Sequence, residues 1–383
     1  MGLIILIIIL SLLSVTFVVI ISVDVIVKYN RRRLKKQIRV FSDFESWKNA
    51  VFECSKKWAR KMPTVPLTDH DRFVLLDMVR GQYKHNSLQC WQYTQLICGI
   101  KAIAPESVIK ATDQFDIKEI DEGFALYKQW RAELFDENDI EKYMQTYLSV
   151  LEKRTKENGL IEYRAGFGDV CIADTLAFVS PLLIKYGVYK NNNELIDSAM
   201  LQINSFYNYG YIDKYGLYAH GYNAVKKAPC ESIGWGRGTG WFLFGILNCY
   251  EELPDNSEYK AILLERIEEA LNNILCYQRA DGGWSTQLVG NWNYDSSATA
   301  MFALYILRAS KIVGRSSKYT NAVERAVEKL MTVTTKSGAL MYCEGDCHGI
   351  GKYSKLYTIS PFTQGVVLEV ITEYERMKNN RNE

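Results

Sequence analysis

The chain has 383 residues, 48% of them hydrophobic and 23% charged, with a formal net charge of +2. That composition suits one large globular domain or two small ones, and near-neutral charge gives no support for a nucleic-acid partner. Aromatic residues reach 13%, a supply that fits a sugar-binding cleft and equally a helical core rimmed by tyrosines.

Residues Leu3 to Ile21 carry no charge and are almost wholly Leu, Ile, Val and Phe. Such a run can cross a hydrocarbon core of roughly 30 Å as a helix. A cleaved signal peptide calls for a basic start, a shorter apolar core and small residues at the cut, and none is clear here. The apolar run stops at Lys28 and gives way to Arg31-Arg32-Arg33-Leu34-Lys35-Lys36. By the positive-inside rule this cluster keeps the downstream chain in the cytoplasm, and it can also sit on anionic membrane lipid. The expected layout is a transmembrane anchor over 1–28, a basic juxtamembrane segment over 29–41 and one domain over 42–383.

Apolar spacing predicts a helix over 44–60, with Trp47, Val51, Phe52 and Trp58 on one side. Further helices are predicted over 71–80, 88–102, 119–134, 138–154, 170–187, 193–208, 239–252, 257–277, 295–313, 318–334 and 361–378. Strand-like pieces are scarce, such as 216–219 and 339–342. The predicted class is all-α, built from helical hairpins. No repeat of fixed period is visible, which disfavours an open array; a closed ring with its long loops at one mouth fits better. Nine scattered cysteines read as reduced, core-filling thiols. Cys343-Glu344-Gly345-Asp346-Cys347-His348 hints at a metal, but no second ligand pair exists elsewhere, so zinc is disfavoured.

The loops over 155–169, 209–238, 279–294 and 335–360 hold the unusual residues, and loops on a rigid scaffold are where sites usually sit. Trp235-Gly236-Arg237-Gly238-Thr239-Gly240-Trp241, preceded by Gly234, places a guanidinium among indoles and glycines ahead of an apolar run. Its glycines imply close backbone approach or positive φ at a turn entering a helix. The arginine and indoles suit carboxylate and sugar recognition, although a helix-start turn with core tryptophans reads the same way. Asp174 stands at the start of an apolar helix, either as a helix-end charge or as a carboxyl with a perturbed pKa. Asp169, after Gly168, is the expected cap of that helix. His220-Gly221-Tyr222-Asn223 supplies a histidine that serves equally as a hydrogen-bonded loop residue. Trp284 and Trp292 could form a stacking wall, and Asp295 or Ser296 caps the helix that follows. There is no phosphate-cradling loop, dinucleotide fingerprint, His-Glu-x-x-His or Gly-x-Ser-x-Gly, which leaves carboxylate chemistry.

Taken in order, these segments resemble the unsaturated glucuronyl and rhamnogalacturonyl hydrolases, glycoside hydrolase families 88 and 105, over roughly residues 45–378. The resemblance rests on Asp174-Thr175-Leu176 with Pro181-Leu182-Leu183, His220-Gly221-Tyr222, Trp235 to Trp241, and Ser296 to Met301. It implies an (α/α)6 barrel acting on oligosaccharides that end in a 4,5-unsaturated uronic acid. An aspartic acid protonates C4, water adds at C5, and the hemiketal opens; no metal or nucleotide is needed. By position Asp174 is that acid, and a carboxyl that must begin protonated is expected to have a raised pKa. Arg237 would hold the uronate carboxylate or a nearby hydroxyl, Trp235 and Trp241 would be sugar platforms, and His220 would bind hydroxyls. The second acidic residue falls on Asp116 or Asp121. Ile172 replaces an aromatic, Glu162-Tyr163-Arg164 stands where a histidine is often found, and Tyr222-Asn223 replaces Trp-Asp. The alternative is a non-catalytic or biosynthetic glycan-binding barrel in a surface-polysaccharide system.

Overall fold

Helical periodicity in the sequence is realised in fourteen helices among the residues described by a computed structural model, which covers all but 67–69, 71, 85–89, 107–116, 347–350, 352 and 383. They are α1 (Gly2–Lys35), α2 (Phe44–Arg60), α3 (Val74–Val79), α4 (Cys90–Ile103), α5 (Glu122–Arg131), α6 (Glu137–Arg154) and α7 (Asp174–Phe178). Next come α8 (Ser180–Lys190), α9 (Asn193–Gly210), α10 (Gly236–Glu252), α11 (Glu258–Leu275), α12 (Ser296–Val313), α13 (Ser317–Thr332) and α14 (Pro361–Asn382). Side-chain caps set several starts: Asp43, Asp136, Asn192 and Asp295 each accept backbone N–H groups of the first turn.

Two kinds of helix alternate. Helix α10 is buried on every face from Gly236 to Cys249, and α12 is nearly so from Ser296 to Leu307. The helices α2, α6, α9, α11 and α13 bury one stripe only, as amphipathic outer helices do. Among the buried set α4 packs on α5, α5 on α8, α8 on α10, α10 on α12, α12 on α14, and α14 returns to α4. Each outer helix leans on this set, with α2 on α4 and α14, α6 on α5, α9 on α8, α11 on α10 and α12, and α13 on α12. The α4–α14 crossing is set by two glycines. A Cβ on Gly99 would stand 2.3 Å from the Gly365 carbonyl oxygen, and one on Gly365 2.2 Å from that of Gln95. Any side chain there would push the two helices apart.

The expected single helix over 170–187 is divided. Residues Val170–Ile172 form a strand, and α7 and α8 meet at Val179 (φ −114°, ψ −54°). Pro181 has no N–H to continue the α7 ladder, so the chain restarts. That strand is one of the few: β1 (Val65–Pro66) pairs with β2 (Tyr83–Lys84), and β3 (Val170–Ile172) pairs with β5 (Leu217–Asn223). Strand β5 also pairs with β4 (Tyr211–Ile212) and β6 (Ala228–Ile233). The sequence pattern identified only the start of β5. Two-residue pairs β7–β8 (Trp284–Ser285, Tyr294–Asp295) and β9–β10 (Cys343–Glu344, Tyr357–Thr358) complete the set. Asp169 caps no helix; it precedes β3 and lies 3.4 Å from Lys156.

The described cysteines are all free thiols. Helix α1 is long and apolar enough to cross a membrane, and none of its most apolar window is buried against the body.

Candidate active site

The buried helices bring their N-terminal ends together. Trp91 of α4, Phe124 of α5, Trp241 of α10 and Phe362 of α14 lie in the first turns of their helices and, with Phe178 at the end of α7, form one aromatic cluster. Its ring centroids are 4.9–6.4 Å apart, with Phe178–Trp241 at 4.9 Å. Edge-to-face packing of this kind is rigid as well as apolar. Gly245 lets α10 approach α7, since a Cβ there would meet Leu176 at 2.8 Å. These contacts fix where Asp174, the first residue of α7, stands.

Strand pairing brings His220 to it. Ile172 pairs with Gly221, and the Ala173 N–H donates to the His220 carbonyl at 2.9 Å. Gly221 is required at that crossing, because a Cβ would stand 2.9 Å from the Cys171 carbonyl oxygen. The imidazole Nε2 then lies 3.0 Å from Asp174 Oδ2, and Nδ1 lies 2.9 Å from the Tyr353 hydroxyl. With the carboxylate ionised, Nε2–H donates to Asp174 and Nδ1 accepts from Tyr353. His220 is closed off, but the Asp174 side chain keeps 10% of its surface exposed, enough for a reacting atom to reach it.

A second carboxylate, Asp121, stands just before α5. It accepts hydrogen bonds from Tyr163 and from Arg164, whose guanidinium also lies 3.7 Å from Glu119. Burial raises the Asp121 pKa against the opposing pull of Arg164, with the Asp174 charge a smaller push upward. The Tyr163 phenol is held well above its ordinary range by burial and by both aspartates.

The glycine-rich stretch performs both expected functions. Gly234 adopts φ +68°, and a Cβ on Gly236 would meet the Ser285 carbonyl oxygen at 2.9 Å and Ala298 Cβ at 2.7 Å. Trp235 packs its ring 4.5 Å from His220 and 5.0 Å from Tyr353. Its indole N–H donates to Glu344 at 2.8 Å. Arg237 points elsewhere than expected: its guanidinium donates to the Glu344 and Gly345 carbonyls at 2.7 and 2.8 Å and lies 3.9 Å from Asp346. It clamps the 344–346 backbone instead of presenting an open carboxylate receptor.

Asp174, His220 and Trp235 therefore come together as expected, with Arg237 directly behind them and Asp121 alongside. Trp235 and Trp241 are both buried, at 1% and 2% exposed, so neither is the open sugar platform expected. Trp284 is a correction: it is wholly buried, donates its indole N–H to the Ile274 carbonyl at 2.9 Å and packs edge-on against Phe302. That makes it a core anchor of the β7–β8 hairpin, while Trp292 is 53% exposed. Asp116 lies outside the described residues, as do Cys347 and His348. Among the described residues no group of three or more His, Cys, Asp or Glu is arranged to hold a metal.

Four site residues escaped the sequence reading. Tyr353 carried no local signal. Tyr163 and Arg164 registered only as a departure from a pattern. Glu344 was weighed only as part of a metal motif, yet burial raises its pKa to about 8 despite the neighbouring Arg237. The Asn223 departure has a local explanation: its side chain accepts the Val225 and Lys226 N–H groups at 3.1 and 2.8 Å, closing the β5–β6 turn.

The site thus pairs an acidic residue with a histidine in a scaffold of paired helices. The model of Glycosyl Hydrolase Family 88 matches residues 85–378, and the chain belongs to that family of glycoside hydrolases. A curated relative, an unsaturated 3S-rhamnoglycuronyl hydrolase from Formosa agariphila, is 24% identical over 164 residues, 41% of this chain. That match spans 44% of the relative, so the chain covers less than half its length. Among solved structures, a possible member of the GH105 family from Salmonella enterica serovar Paratyphi A superposes with a TM-score of 0.69 at 17% identity, covering 89% of this chain and 97% of that one. The unsaturated glucuronyl hydrolase of Bacillus sp. GL1, described as responsible for glycosaminoglycan degradation, gives 0.61 at 16% identity over 87% and 96%. These structural likenesses speak to the fold.

Proposed function

We propose that this protein is a membrane-anchored glycoside hydrolase that removes a 4,5-unsaturated uronic acid from the end of an oligosaccharide. Residues 42–383 act as one (α/α)6-barrel domain, with the site at the mouth formed by the N-terminal ends of the inner helices. The family match and the names of the relatives support the substrate class. The observation that carries the reading is the Asp174–His220 pair at 3.0 Å beside a second buried carboxylate.

In the proposed reaction Asp174, in its acid form, transfers its proton to C4 of the unsaturated ring. The cation that develops at C5 is captured by water, which gives its proton back to the Asp174 carboxylate. The hemiketal formed at C5 then opens, and the aglycone leaves with a proton. Through Nε2–H His220 orients Asp174, and Tyr353, bonded to Nδ1, fixes its tautomer. Asp121 is the second acidic group. Arg164, whose side chain is 30% exposed, is the cation placed beside the carboxylates with surface left for a uronate. Arg237 and Glu344 act as positioning residues that hold Trp235 against His220. Helix α1 anchors the chain in the bilayer, and the basic run after Lys28 places the body on the cytoplasmic side.

The test is a panel of polysaccharide-lyase products followed by loss of the ultraviolet absorbance of the conjugated double bond. Wild type consumes at least one product, and Asp174→Asn consumes none while keeping its circular dichroism and melting temperature. Wild type that binds these products without consuming any would return the protein to the glycan-binding class.

A further inference from the structure

Downstream of α1, eleven large hydrophobic side chains are exposed among the described residues, and four of them fall from Phe73 to Val79. Phe73 is 52% exposed, Leu76 41%, Met78 38% and Val79 80%. Scattered exposed apolar residues need no explanation, but a concentration on one short helix does. Arg72 and Arg80 flank the group and are exposed.

Helix α3 is joined to α1 by a built contact. Asp24, the one buried residue of α1, accepts the Phe73 N–H at 2.9 Å and the Val74 N–H at 2.8 Å. The bulky Phe73 is held at φ +54°, a left-handed conformation that such a residue rarely adopts. Around Asp24 the partly covered positions Ile20, Val23, Val27, Lys28, Arg31, Leu34 and Lys35 recur every three or four residues, one stripe of the helix. Below it Lys28, Arg31, Arg32 and Lys35 line a single space of about 330 Å³. The helix end is pinned to the body: the Arg39 N–H donates to Thr334, the Lys336 N–H to Gln37, and Lys35 stands 5.0 Å over the ring of Tyr342, whose carbonyl accepts the Ser296 N–H at the start of α12.

We infer that α3 is a second membrane contact, with Phe73, Leu76 and Val79 set into the interface of an anionic bilayer, and that Asp24 locks it to α1 so that the site's mouth faces the lipid. At 1.5 Å per residue, Leu3 to Ile21 spans about 28 Å, so Asp24 and the start of α3 fall at the edge of the hydrocarbon. An interfacial segment of this kind carries apolar side chains toward the acyl boundary and cations at headgroup level. The acidic side chain between them is satisfied by backbone donors instead of facing lipid. The inference rests on the anchoring role given to α1 above.

The test uses the full chain in nanodiscs of mixed phosphatidylcholine and phosphatidylglycerol, with a photo-crosslinking amino acid in place of Val79, Val15 or Ile262. Lipid adducts are read by mass spectrometry. Adducts are expected at Val15 and Val79 and not at Ile262, which lies on an outer helix. They are expected to fall at Val79, and not at Val15, when Asp24→Ala is introduced or when neutral lipid replaces the anionic one. Adducts at Val15 alone would overturn the α3 contact and leave the anchor standing. No adducts at either would overturn the anchor itself. Adducts at Val79 that persist in Asp24→Ala would overturn the lock.

Discussion

The C-terminal ends of the buried helices and their N-terminal ends use the same charged residue types to opposite effect. At the C-terminal end a cavity of about 530 Å³ is lined by Lys101, Lys128, Arg131, Arg308, Glu369 and Glu373, among others. Charges in and around it are paired: Glu251 with Arg131 and, at 2.6 Å, Arg308; Glu369 with Lys128 at 2.6 Å; Glu252 with Lys185 at 2.9 Å. Arginine pairing outweighs burial and draws Glu251 down to about 2. At the N-terminal end the balance is reversed, with Asp121 and Glu344 pushed up by burial. Charge at one end is neutralised between helices; at the other, burial favours the protonated form of two carboxyls.

The largest effect that separates the ends is on rate. Asp174→Asn is expected to remove measurable turnover, a loss beyond the roughly 10²- to 10⁴-fold usual for a positioned acid or base, with the melting temperature unchanged. At the other end the effect is on stability. Glu251→Ala leaves Arg131 and Arg308 facing each other and is expected to cost about 3 kcal/mol by chemical denaturation, with kcat/KM retained in the folded fraction.

The pH responses run in opposite directions. The Glu251 carboxylate sits below its ordinary 4.5, so the stability it contributes is present above that value and is lost as pH falls toward about 2. The Glu344 carboxyl sits above 4.5, so its contribution is full below 4.5 and is lost as pH rises through about 8. Glu344→Gln is expected to flatten the decline in melting temperature between these values while leaving the acid limb intact. The smallest effect is that of Tyr353→Phe, which removes the bond to His220 Nδ1. It should cost roughly 1 kcal/mol of transition-state stabilisation, about fivefold in kcat/KM, with a shifted pH–rate profile.

Helices were legible because their signals are local. The stripe on α2 and the Asp295 cap of α12 are both written within one or two turns of sequence. The break in the predicted 170–187 helix turned on Pro181 together with strand partners some fifty residues away, which periodicity does not encode. Asp174, His220 and Trp235 were found because each sits in a short, compositionally odd segment. Tyr353 and Glu344 were missed because their roles arise only when the 343–358 segment folds across Trp235 and His220. The misplacement of Arg237 has the same origin: sequence shows a guanidinium between indoles, but not the two backbone carbonyls that capture it. Trp284 looked like a stacking wall because composition does not distinguish an indole at a hairpin's surface from one driven into its core.

Hydrolysis of an unsaturated uronyl disaccharide in deuterium oxide, followed by proton NMR of the released sugar, tests the proton transfer from Asp174 to C4 most directly. Wild type is expected to place deuterium at C4, and Asp174→Asn to yield no product. A product formed without deuterium at C4, or with equal deuterium incorporation in the variant, would contradict it.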